Sequence, residues 1–94
     1  MSNRNKPVIT PIDRQTWTVG EDFIVEVPIS NADTAWAEGP LYGHGAHSWN
    51  QDEGILTITG HADKENSSYV DVIGKKGDNQ VRYTIYYDAV KSHH

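Results

Sequence analysis

Apolar residues recur at every second position in the two longest patterned stretches of the chain. Phe23, Val25, Val27 and Ile29 alternate with Ile24, Glu26, Pro28 and Ser30; Val81, Tyr83, Ile85 and Tyr87 alternate with Arg82, Thr84, Tyr86 and Asp88. A period of two is that of a strand with one buried face. Pro28 has no backbone donor, so it belongs at a strand end, an open edge or a bulge. Between these stretches lie Gly54-Ile-Leu-Thr-Ile-Thr-Gly60 and Ser68-Tyr-Val-Asp-Val-Ile73, two further strands. Gly74-Lys-Lys-Gly-Asp-Asn79 reads as a hairpin turn. Ahead of Phe23, residues 7–12 and 15–19 form a first strand broken at Pro11 and Asp13, a break that lets it pair with one sheet and then the other. Residues 31–50 hold Gly39-Pro40 and Gly43-His-Gly45 and predict one or two irregular strands or a long loop. No stretch carries the period of a long amphipathic helix.

About seven short strands punctuated by turns predict an all-β fold, an immunoglobulin-like β-sandwich of two antiparallel sheets. With 94 residues there is room for one core. The expected division is a lead over residues 1–6, the domain over 7–90, and a tail over 91–94 whose closing histidines read as the remnant of a purification tag. The inward positions Phe23, Val25, Val27, Leu56 and Ile85 are the expected core. Of the three tryptophans, Trp36 in Ala-Trp-Ala is the one expected inside, and Trp49 the one expected exposed.

Composition removes more than it adds. There is no cysteine, hence no disulfide and no thiolate ligand or nucleophile. Net charge is −5, and residues 15–63 contain no lysine or arginine, so a phosphate backbone has no basic track to follow. No apolar run is long enough to span a bilayer as a helix.

Thr18-Val-Gly-Glu-Asp-Phe23, following Pro-Val-Ile-Thr-Pro-Ile, resembles the opening of the immunoglobulin-like domains found in bacterial surface proteins and phage virion proteins. Asp52-Glu-Gly-Ile-Leu-Thr-Ile-Thr-Gly60 is similar to that family's second signature. Two departures stand out: Tyr42-Gly-His-Gly-Ala-His-Ser-Trp49 replaces a proline-rich stretch, and the hairpin around Gly74–Gly77 adds strand length. The resemblance implies an accessory module without an active site, such as the outward-facing domain of a capsid decoration or tail protein on the virion surface. Its implied partners are the parent particle and, weakly, cell-surface carbohydrate or protein. The alternative is a carbohydrate-binding or spacer domain of a secreted bacterial enzyme or adhesin.

The chemistry available fits that expectation. His44 and His47 are three apart in a glycine-rich loop, but nothing selects a third metal ligand. Asp63-Lys-Glu-Asn66 lacks the alternating acidic pattern of a calcium loop. No nucleophile elbow or phosphate loop is present. The reading is therefore no enzyme, no cofactor, no metal and an isolated domain that is monomeric. Exposed aromatic and polar side chains remain as contact residues, and Trp49, His47, Tyr42 and Tyr86 are the candidates.

Overall fold

The computed structural model describes residues 6–39 and 46–91; Tyr42 and His44 lie outside them. Among the described residues there are eight strands: β1 (Val8–Ile9), β2 (Gln15–Thr18), β3 (Asp22–Ser30), β4 (Thr34–Glu38), β5 (Ala46–Asn50), β6 (Ile55–His61), β7 (Asn66–Lys76) and β8 (Asn79–Val90). They form two four-stranded sheets, in the orders β1-β3-β6-β5 and β2-β8-β7-β4. This is the two-sheet sandwich that the alternating pattern implies. The segment 31–50 contributes β4 and β5, which sit in different sheets.

The core lies between the sheets. β3 alternates without error, Phe23, Val25, Val27 and Ile29 being buried and their neighbours exposed. Leu56, Ile58, Val70, Val72 and Ile85 complete the centre, each almost wholly removed from water. The five residues expected in the core are all in it.

Pro11 and Asp13 divide the first strand as expected. β1 runs antiparallel to β3, Val8 facing Ser30. The chain then crosses the open side of the sandwich, and β2 pairs with β8, Trp17 facing Ala89. Tyr83 on β8 fastens the crossing: its hydroxyl donates to Ile12 O (3.0 Å) and accepts from Ile12 N (3.2 Å). The β2–β8 pair is parallel, so the second sheet is not purely antiparallel as expected. The first strand keeps its direction as it changes sheets, and β8 runs the same way. The chain consequently enters near Asn31, whose amide donates to Lys6 O, and leaves at the other pole, where Val90 O accepts from Val19 N.

The hairpin turn is shorter than the glycines suggest. Lys76 faces Asn79, leaving only Gly77 and Asp78 between the strands, and Gly77 takes a φ of 58° that suits glycine. Gly74 stays inside β7 for a different reason. A Cβ there would come within 3.2 Å of Pro7 Cβ and Ile29 Cγ2, so the two sheets close at this point only around a missing side chain.

Two expectations about tryptophan are overturned. Trp36 is not in the core: in Ala-Trp-Ala the strand turns both alanines inward, and Trp36 lies on the outer face with its indole donating to Glu38 Oε2 (2.8 Å). The core tryptophan is Trp17, stacked on Phe23 at 3.7 Å and on Tyr87 at 4.3 Å between ring centroids. Trp49 is half-buried and not an exposed ring, because it pairs with inward-facing Leu56 and packs against the core.

Candidate functional site

The outer face of the β2-β8-β7-β4 sheet gathers the side chains that have something to offer a partner. The two-residue turn sets its register: Tyr69 faces Tyr86, Asp71 faces Thr84, Ile73 faces Arg82 and Ser67 faces Asp88. β4 adds Trp36 opposite Ile73 and Glu38 opposite Asp71. Every one of these positions has the outward parity of its strand.

In the middle are two tyrosines. Tyr69 and Tyr86 are 39% and 54% exposed, their ring centroids 6.4 Å apart and the planes inclined by 58°. That is the tilted arrangement aromatic quadrupoles favour. The Arg14 guanidinium stands 5.9 Å from the Tyr86 centroid, within range of a cation–π contact.

Charged side chains flank the rings, and they are tied to one another. Arg14 grips Asp88 with two bonds, Nε to Oδ2 at 2.7 Å and Nη2 to Oδ1 at 2.9 Å, while Ser67 Oγ donates to the same carboxylate at 2.6 Å. These donors, Arg14 first and Ser67 second, hold the Asp88 carboxyl well below the usual carboxylate range. On the other side Arg82 bonds Asp71 through Nη1 and Glu38 through Nη2, and Thr84 Oγ1 donates to Asp71 at 2.7 Å. Asp71, through its hydrogen bond, raises the affinity of Arg82 for its proton. Ile73 lies between Trp36 and Arg82 in the ladder and is fully buried, although it faces away from the core. The result is a flat, pre-ordered face with a pair of rings at its centre.

The predicted contact residues are not brought together. Tyr86 is on this face. His47 and Trp49 are on β5, the edge of the opposite sheet, at inward parity. The Trp49 indole Nε1 is buried without a hydrogen-bond partner. Tyr42 lies outside the described residues. Sequence reasoning missed Tyr69, Arg14, Asp71 and Arg82. The signal was present: a two-residue turn at Gly77-Asp78, counted back in step, sets Tyr69 against Tyr86.

Elsewhere, His61 Nδ1 sits 2.8 Å from Asp22 Oδ1, and its Nε2 is 4.0 Å from Asp63. Among the described residues no group of three or more His, Cys, Asp or Glu is arranged to hold a metal.

No protein-family model matches the chain, and no curated protein sequence matches it. Solved structures do. A mutant of the SrpA adhesin from Streptococcus sanguinis superposes with a TM-score of 0.72 at 10% identity, over 96% of this chain and 58% of the adhesin chain. A chimeric titin Z1Z2 carrying a peptide from decorin gives 0.73 at 17% identity, over 92% and 95%. Domains 4 and 5 of the S-layer protein SbsC give 0.56 at 15%, over 90% and 54%. At these identities the likeness is one of fold. It supports the immunoglobulin-like sandwich implied by the motifs.

Proposed function

We propose that this chain is a non-catalytic display module that gives weak, multivalent attachment through the outer face of its β8–β7 sheet. The carrier we favour is a phage virion, in a capsid decoration or tail protein. Its target is carbohydrate or protein on a cell surface, and its presence alters the surface properties of the particle. The observation that supports this reading is the Tyr69–Tyr86 pair: two solvent-facing rings among side chains already fixed by mutual hydrogen bonds. Pre-ordered polar groups lose little freedom on binding, and exposed tyrosine offers contact area at low entropic cost. A flat face without a deep cleft supports weak single-site affinity, with Kd of ~0.1–1 mM, which many copies on one particle would multiply.

The test compares the parent particle with and without residues 7–90. Assembly and stability should be unchanged, while adhesion to cells or polysaccharide falls. Loss of assembly on deletion would make the domain a structural anchor instead. The likeness to an adhesin chain and to S-layer domains favours a bacterial cell surface as the alternative carrier, in an adhesin or a secreted enzyme. The genomic neighbourhood of the coding sequence separates the two.

A further inference from the structure

We infer that the face around Tyr69 and Tyr86 takes neutral glycan and discriminates against sialylated, sulfated or uronic-acid sugars, an inference that rests on the adhesive role proposed above. Along the strands from the two rings, a depression of about 500 Å3 opens on the outer side of β8. Its polar lining comes from Thr16, Glu65, Asn66, Ser67 and Asp88. The register makes ring pair and depression neighbours, since Ser67 and Asp88 form the next outward-facing pair after Tyr69 and Tyr86.

The chemistry of the two halves is complementary to a sugar. The C–H face of a pyranose carries a slight positive charge and lies well against the negative face of an aromatic ring. Its hydroxyls both donate and accept, and a cluster of hydroxyl, amide and carboxylate side chains answers both needs. Peptide partners would bring longer apolar side chains, for which this shallow polar depression offers little.

Charge then selects the class of sugar. The lining holds two carboxylates and no lysine or arginine. The guanidinium beside it is already committed, Arg14 to Asp88 by two bonds, and Arg82, farther along β8, is held by Asp71 and Glu38. Lys91 Nζ lies 4.0 Å from Glu65. An anionic sugar entering here would face Glu65 and Asp88 and would have to break the Arg14–Asp88 pair or draw Lys91 away from Glu65 to gain a counter-charge. A neutral one meets acceptors it can satisfy with its own hydroxyls.

The full chain is titrated by nitrogen–proton correlation NMR with maltohexaose, mannohexaose and chitohexaose as neutral probes, and with oligogalacturonate and heparin oligosaccharide as anionic ones. At least one neutral probe should move the amides of Ser67, Tyr69, Tyr86 and Asp88, with an affinity indifferent to salt up to ~0.5 M. Tyr86→Ala should weaken it ~10-fold and Ser67→Ala ~3-fold, each variant keeping a single cooperative melting transition as proof of folding. Thr57→Ala, on the opposite sheet, should change nothing. Salt-sensitive binding of an anionic probe at the same amides would overturn the sugar class and leave the adhesive reading standing. So would the absence of any glycan binding if Tyr86→Ala still reduced adhesion of displayed particles, since the partner would then be a protein. If Tyr86→Ala left adhesion untouched, the adhesive reading itself would fall with it.

Discussion

At the scale of single residues, Trp17 and Trp36 make opposite predictions. Trp17 is sandwiched between Phe23 and Tyr87 in the core, and Trp17→Ala should cost ~3–5 kcal/mol. For a domain of this size that is most of the available stability, so the variant should be largely unfolded at room temperature. Trp36→Ala removes a half-exposed ring and one indole bond, and should cost only ~1 kcal/mol. Urea midpoints of the two variants check both values. Asp88 supplies a pH signature. Its folded-state pKa is depressed by Arg14 and Ser67 below the unfolded value of ~3.9, so the stabilisation is present above that value. It is lost as pH falls below ~4 toward the folded pKa. Asp33, depressed by Lys76 and the Gly77 amide, adds to the same acid loss. Asp88→Asn should therefore melt lower than the parent at pH ~6 and show a shallower fall in melting temperature below pH ~4.

At the scale of elements, β3 shows how an open strand is kept from pairing with strangers. Ile29 N reaches across to Gly54 O, just ahead of β6, while Pro28 O points the other way, to Thr10 N. The backbone groups of Asp22, Ile24 and Glu26 thus face the edge that the short β1 leaves open among the described residues, and Pro28 borders it. Pro28 withholds a donor there, and Glu26 adds charge, both standard defences of an edge strand. A double variant, Glu26→Val with Pro28→Val, should self-associate at concentrations where the parent is monomeric, as sedimentation would show. How much of this was legible follows from what local pattern encodes. The alternation in β3 and β8 announced both strands and the core, and the Pro11–Asp13 break announced the sheet change. Size misled at Trp36, where parity and not volume decides the side of the sheet. Trp49 misled because its glycine-rich surroundings suggested a loop, whereas β5 continues the inner face of its sheet and turns the ring toward the core. The candidate face was half visible: Tyr86 was read as outward, but its partner Tyr69 required the turn to be fixed at Gly77–Asp78. Arg14 could not be found that way, since its meeting with Asp88 depends on the sheet change.

At the scale of the whole molecule, the chain passes from one pole of the sandwich to the other, and the parallel β2–β8 ladder lies along that route. Suppose the two ends are drawn apart, as they would be if the domain joined a particle to a surface under flow. β2 is then dragged toward the entry pole and β8 toward the exit pole. The hydrogen bonds between them are loaded side by side, in shear, and must fail together. Were the ends at one pole, the same bonds would open one at a time like a zip. Strength under tension would then reside in a ladder four residues long, out of proportion to its share of the thermodynamic stability. Forced unfolding reports a rate and not an equilibrium, so the two properties are separable. Val19→Pro deletes the donor to Val90 O at the end of that ladder. Single-molecule stretching from the termini should show it yielding at markedly lower force than the parent, with a much smaller proportional drop in the urea midpoint.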